Sequence, residues 1–377
     1  MKYCKICLQP NTRVNEIFSE KGCCSACENH FLQNNINYLE RFDILKEIIS
    51  KYPRKKGKYF DCIIGVSGGK DSTRQAIWVR DKLKLKPLLV CLSYPPEQVS
   101  ELGVKNISNL INLGFDVVYS APAPGVWKNL MREAFLRFAN WARSTELALY
   151  SSVPKTALAY ELPLIFIGEN QSLRDRKTIS PERPWEYNNL MSMNTLAGGD
   201  LTWMREAGFS DQDLIAYGFP DASEVRSGNL NVIDLGWFIG DWDNLGNAKF
   251  STAYGISIRE DGIENIGDPM GVSALDEDWV TLNQMIKYFK FGFGKVTDYV
   301  NEDIRAGRMS REKAIPIVEA YDGACSSKYI EGFCEYIDIT VGQFWETVIS
   351  NVNRNLFEVN APSFQNIHRK YKVGIGL

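Results

Sequence analysis

The clearest chemistry in the chain lies at residues 67–72, Ser-Gly-Gly-Lys-Asp-Ser. Adjacent glycines let backbone N–H groups come close to an anion, and Ser67 and Ser72 add hydroxyl donors. Lys70 brings a mobile positive charge, and Asp71 offers a hard oxygen ligand for Mg²⁺ beside bound phosphates. Ser67, Gly68, Gly69, Lys70, Asp71 and Ser72 are therefore the expected phosphate-binding residues. The pattern differs from the common phosphate loop, which needs Gly where Ile64 stands and Ser or Thr where Asp71 stands. The plain alternative is a Gly-rich turn that binds nothing.

A second constellation pairs Cys4-x₂-Cys7 with Cys24-x₂-Cys27, sixteen residues apart. Four thiolates at this spacing make a tetrahedral zinc site with no open position, hence a structural one. Gly22 permits the turn before the second pair, Cys23 is surplus, and His30 is a possible competing ligand. The alternative is a set of free thiols in a loop-rich cap.

The elements that must position these residues follow from patterning. The apolar run Cys62 to Val66 predicts a buried parallel strand, and 72–79 has the spacing of an amphipathic helix. Such a junction aims the positive end of a helix dipole at the Gly-rich turn. Further strands are expected at 87–93, 115–119 and 163–168, with helices near 97–113, 127–149 and 154–161. This alternation predicts an α/β fold, a doubly wound parallel sheet with ligands at its strand carboxyl ends. Two such ends stand out. Ser93-Tyr94 is where adenine or ribose would lie, and Gly168-Glu169-Asn170 faces the phosphates, with Glu169 a candidate metal ligand or base.

Residues 171–270 are turn-rich, aromatic and acidic, notably Gly240-Asp241-Trp242-Asp243-Asn244. Helical spacing returns at 275–289, 296–306, 311–320, 327–337 and 340–350. Between the first two, Lys290-Phe-Gly-Phe-Gly-Lys295 reads as a basic, Gly-flexed loop suited to a triphosphate or nucleotide sugar; a plain helix–helix turn is the alternative. The expected organisation is a zinc knuckle (1–33), a helix and linker (34–57), an α/β domain (58–270) and a helical C-terminal region (271–377).

The chain has 377 residues, 45% hydrophobic and 24% charged, with net charge −3. That balance argues against a general nucleic-acid binder, and nucleic acid is not an expected partner. No window approaches a membrane span, and Met1-Lys2-Tyr3-Cys4 does not read as a signal peptide. A cytoplasmic protein is expected, its nine cysteines thiols or metal ligands rather than disulfides.

The loop resembles the pyrophosphate loop of the N-type ATP pyrophosphatases (the PP-loop superfamily). With the two C-x₂-C pairs, Gly168-Glu169-Asn170, the 240–243 loop and later stretches such as Glu302-Asp303-Ile304-Arg305 and Tyr321-Asp322-Gly323, the chain resembles the N-acetyl sugar amidotransferases of the WbpG/PseA type. One departure is Lys295, where Arg is more typical. The resemblance implies ATP, Mg²⁺ and structural zinc as cofactors, and Ser93, Gly168, Lys290 and Lys295 join the loop as nucleotide or substrate contacts. Lys70, Asp71, Glu169 and Asp241, with Asp243 beside it, are the catalytic candidates. The implied reaction turns a sugar N-acetyl group into an acetamidino group on a precursor of bacterial surface polysaccharide. Nothing reads as a glutaminase, so ammonia is expected from a partner subunit. A tRNA-thiolating enzyme of the same superfamily, or a nucleotide-sensing scaffold without turnover, are the rival readings.

Overall fold

The computed structural model describes residues 1–33, 36–54, 56–168, 190–191, 195–360 and 367–377. Five strands, β1 (Cys62–Val66), β2 (Pro87–Leu92), β3 (Asp116–Ser120), β4 (Leu164–Ile167) and β5 (Asn231–Asp234), form one parallel sheet in the order 3-2-1-4-5. The order reverses between β1 and β4, the crevice where such sheets take ligands. Strand β5 is not among the expected elements. Its four residues are too short a run to stand out, and its pairing with β4 supplies the evidence that periodicity lacks.

The helices in chain order are α1 (Ser25–Gln33), α2 (Tyr38–Ser50), α3 (Lys70–Lys82), α4 (Glu101–Asn112), α5 (Pro124–Phe138), α6 (Ala142–Tyr160), α7 (Thr202–Glu206), α8 (Ala222–Gly228), α9 (Leu235–Phe238) and α10 (Asn244–Ala253). They continue with α11 (Ile263–Ile266), α12 (Val280–Phe291), α13 (Lys295–Arg305), α14 (Arg311–Tyr321), α15 (Ser327–Tyr336) and α16 (Val341–Ser350).

Both faces of the sheet are covered because its strands are apolar on both sides. Ile64, Leu89, Phe166 and Ile233 pack under Ile77 and Val79 of α3, Leu110 of α4 and Leu45 of α2. Ile63, Val90, Ile165 and Val232 pack on Val153 and Ala157 of α6. The C-terminal helices have their own core, which also takes in α5. Phe135 stacks on Phe344 with centroids 5.1 Å apart and meets the edge of Phe333 at 5.2 Å. The cysteine-rich N-terminus docks on this body: the Leu8 N–H donates to Asn301 Oδ1 at 2.7 Å, and the Leu8 side chain enters the core.

The 290–295 stretch is a helix–helix turn. Lys290 lies in the last turn of α12, Gly292 ends that helix with φ of 76°, and Lys295 opens α13. The C-terminal region is otherwise mainly helical near the expected places, and it also carries a short antiparallel strand pair, Phe357–Val359 with Ile367–Arg369, that periodicity does not announce. No described helix is long and apolar enough to cross a membrane.

Candidate functional site

Strand β1 delivers the chain into the Gly-rich turn, where Gly68 takes φ of +78°. A side chain there would be strained, and its Cβ would stand 3.0 Å from Asn106 Cβ of α4. Gly69 is the N-cap of α3 and offers no side-chain cap, so the first N–H groups of this helix depend on other partners. The Ser72 hydroxyl closes the turn, accepting from the Ser67 N–H at 3.4 Å and donating to the Gly69 carbonyl at 3.3 Å.

Lys70 is only 5% exposed, with its ammonium on the Asp71 carboxylate at 2.8 Å. Asn247 of α10 donates to the other Asp71 oxygen at 2.5 Å, and the Ser251 hydroxyl donates to the Lys70 carbonyl at 2.6 Å. Helix α10 thus lies on α3 and fixes the first turn of the loop helix. Arg74, one turn on and buried, reaches the Asp241 carbonyl at 2.9 Å, the Asp241 carboxylate at 2.6 Å and Asn247 Oδ1 at 2.7 Å. The guanidinium lies over Trp242, whose indole N–H donates to the Gly168 carbonyl at 3.1 Å. A single network therefore ties the loop, the end of β4 and the 240–244 segment. Asp241 uses one carboxylate oxygen on Arg74, and its side chain is 77% exposed.

Asp71, Gly168, Asp241 and Asp243 line one side of a cleft of about 400 Å³. Its other side is formed by Arg13, Lys287, Lys295, Asn301 and Arg305. The acidic loop is also held from that side: Glu302 of α13 accepts from the Asn244 backbone and side-chain nitrogens, both at 2.8 Å. Arg308 reaches Asp243 at 2.8 Å. Burial pushes the Glu302 carboxyl above its ordinary range.

Asp71, Gly168, Asp241 and Lys295 are thus brought to one cleft. Ser93 sits at the end of β2, its N–H bonded to the Ser120 carbonyl at 2.9 Å, and does not line the cleft. Over that strand end lies the 275–277 segment, with the Tyr94 hydroxyl on Asp276 at 3.1 Å. Lys290 also points elsewhere, donating to the Phe138 carbonyl and, at 3.1 Å, to the Ala139 carbonyl at the end of α5. Glu169 lies outside the described residues.

Sequence reasoning misses Arg13, Arg74, Asn247, Lys287 and Asn301. Nothing in a single sequence distinguishes these from ordinary helix or loop polar residues. His30, a rival zinc ligand by sequence position, lines the cleft instead; burial and then the nearby Arg305 charge hold its imidazole pKa below the ordinary value.

The four cysteines converge. Cys4 and Cys27 sulfurs are 3.9 Å apart, Cys7 and Cys24 3.6 Å, and all four lie within 4.8 Å of one another. With Zn–S bonds of about 2.3 Å, the edge of a sulfur tetrahedron is about 3.8 Å, so the set has the size of a zinc site. Backbone N–H groups of Ile6 and Cys24 point at Cys4 Sγ at 3.4 and 3.3 Å, and that of Gln9 at Cys7 Sγ at 3.4 Å. Such donors stabilise thiolates. Cys23 stays outside the cluster, and the four-cysteine set can bind zinc.

No curated protein matches the chain. Residues 252–371 match the family model described as LPS biosynthesis protein WbpG-like, C-terminal domain. The matched part is under half of the chain and carries the Lys287, Lys295, Asn301 and Glu302 side of the cleft. This match supports the WbpG-type family and a role in lipopolysaccharide biosynthesis for the C-terminal part of the chain.

Proposed function

We propose that the chain is an ATP-dependent N-acetyl sugar amidotransferase of the PP-loop superfamily, acting on a nucleotide sugar bound for surface polysaccharide. The observation that carries the reading is the cleft itself. On one side lies Asp71, at the first turn of a helix whose N-terminus lacks a side-chain cap; on the other lies the WbpG-like segment.

An amide oxygen is a poor leaving group. Its attack on the α-phosphorus of ATP, with loss of the amide N–H proton, forms an O-adenylyl imidate and releases pyrophosphate. Ammonia then adds at the imidate carbon, AMP departs with the former amide oxygen, and a proton is lost to give the amidine. Backbone N–H groups at Gly69 and Lys70, the Lys70 ammonium and the hydroxyls of Ser67 and Ser72 would meet the charge that grows on the departing pyrophosphate. Mg²⁺, when bound at Asp71, would neutralise part of the same charge. The donor set fits: a part-exposed carboxylate at the cleft, oriented by Lys70 and Asn247.

Ammonia is assigned to a separate glutaminase. Burial drives the Cys62 thiol well above its ordinary range and pushes Cys91, Cys325 and Cys334 up to about 12. Thiols so placed are poor nucleophiles at neutral pH, which supports an external source.

The test is pyrophosphate release from ATP with N-acetylated nucleotide sugars and ammonium, followed by mass spectrometry of the sugar. Sugar-dependent release with replacement of the amide oxygen by NH is the expected result. Release that requires tRNA, or none with any sugar, rejects the proposal.

A further inference from the structure

Arg13 belongs to the segment between the two cysteine pairs, far in sequence from α12 and α13, yet it meets them at the cleft. Its guanidinium pairs with the Asp298 carboxylate of α13, and Lys287 of α12 reaches the same carboxylate at 2.6 Å. The two cations lie over one ring: Arg13 is 4.5 Å and Lys287 4.6 Å from the centroid of Phe293. Phe293 is held by the turn around it. A Cβ on Gly294 would stand 2.7 Å from Asp322 Oδ1, so only glycine lets Asp322 take the Gly294 N–H at 2.7 Å and the Thr297 hydroxyl at 2.6 Å. Lys295, the first residue of α13, completes the corner with its ammonium 5.2 Å from the Tyr299 ring.

Three cations thus surround one carboxylate, and Asp322, the next acid behind them, is committed to capping α13. Arg13 and Lys287 share the single Asp298 carboxylate, so this pair carries more positive charge than that carboxylate cancels, which suits the charged oxygens of the diphosphate bridge of a nucleotide sugar. A second observation also points to a ligand. Asn301 lines the cleft, is 1% exposed, and its carbonyl accepts from the Leu8 N–H while its amide nitrogen has no acceptor among the described residues. A buried donor without a partner is costly, and an oxygen-rich ligand would satisfy it.

We infer that Arg13, Lys287, Lys295 and Asn301 form a second anion subsite that binds the diphosphate of a nucleoside-diphosphate sugar, across the cleft from the ATP loop. The inference deepens the amidotransferase reading and rests on it for the identity of the sugar. The cysteine knuckle is then more than a structural cap, because it carries one of the substrate's ligands. Held by its diphosphate at this corner, the sugar lies in the same cleft as Asp71 and Gly168.

The test is calorimetric titration of the full chain with UDP-N-acetylglucosamine as the probe, and separately with a non-hydrolysable ATP analogue. Arg13→Gln, Lys287→Gln and Lys295→Gln are each expected to weaken the UDP-sugar by about tenfold or more while leaving the ATP analogue within about twofold. Lys70→Gln is expected to do the reverse. Lys295→Gln lies outside the knuckle, so its effect does not depend on knuckle folding, which bound metal content checks for Arg13→Gln. Unchanged UDP-sugar affinity in all three variants, no binding to the parent chain, or UDP-sugar binding lost in Lys70→Gln would overturn the subsite. The two readings fail differently. Arg13-dependent sugar binding without pyrophosphate release sinks the amidotransferase and keeps the subsite; turnover with an unaltered sugar KM in the variants does the opposite.

Discussion

Arg74 and Asp241 form a two-point clamp: the buried guanidinium holds both the backbone carbonyl, at 2.9 Å, and the carboxylate, at 2.6 Å, of a residue that is otherwise exposed. Through it, the second turn of the loop helix dictates where the acidic segment stands. Arg74→Lys keeps the charge but cannot make this fork. It should lower kcat/KM for ATP-dependent pyrophosphate release by about tenfold or more, with a stability loss of about 1–3 kcal/mol for the unpaired Asn247 and Asp241 groups. Urea unfolding and steady-state kinetics measure the two separately. Parental kinetics in Arg74→Lys would show that the clamp does not matter to the site.

Asp71 sits where loop, α10 and cleft meet, with Lys70 and Asn247 on its two oxygens. Asp71→Asn keeps the size but removes the charge that, in the proposed function, would hold Mg²⁺. The expected outcome is a fall in kcat of about a hundredfold, part of it recovered by raising Mg²⁺. A Mg²⁺ titration of initial rates measures it; an unchanged Mg²⁺ dependence would move the metal away from Asp71.

Much of this arrangement is legible in the amino-acid sequence. The Gly-rich turn between β1 and α3 lies within six consecutive residues, and the two C-x₂-C pairs are equally local, so both can be read off the chain. The partners are not legible, because they are set by tertiary contacts. Arg74 looks like any polar residue on a helix, and only the docking of α10 shows what it grips. Arg13 is a plain loop cation until α12 and α13 arrive beside it. Lys290 misleads for the opposite reason: it shares a Gly-rich basic stretch with Lys295, but it stands in α12 ahead of the turn at Gly292, and the helix directs it onto the end of α5.

Metal removal should act on the knuckle first. The parent chain is expected to hold one zinc, and Cys24→Ala to hold none, since three thiolates around this centre leave it open to exchange. Because Leu8 and Arg13 dock the knuckle on α13, its loss should lower Tm and weaken nucleotide-sugar binding while the ATP analogue still binds. Elemental analysis, thermal melts and the two titrations check this. Full zinc retention by Cys24→Ala would assign the fourth ligand elsewhere.

Lys290 gives a pH-dependent prediction independent of the cleft. Burial, with a smaller contribution from Arg143, lowers its pKa from 10.5 to about 8. Below about 8 the amine is charged in both folded and unfolded chains, and the cost of burying that charge is present in full. Between about 8 and 10.5 the folded chain has shed a proton that the unfolded chain keeps, so stability rises with pH through this window. Lys290→Met removes the titration. The stability of the parent chain relative to Lys290→Met should therefore climb from pH 8 to 10.5 and be flat between pH 6 and 7.5, while both KM values stay at parental levels because the ammonium faces the end of α5. Chemical denaturation across that range, paired with kinetics at neutral pH, makes both comparisons. A raised KM for either nucleotide in Lys290→Met would return this residue to the substrate site.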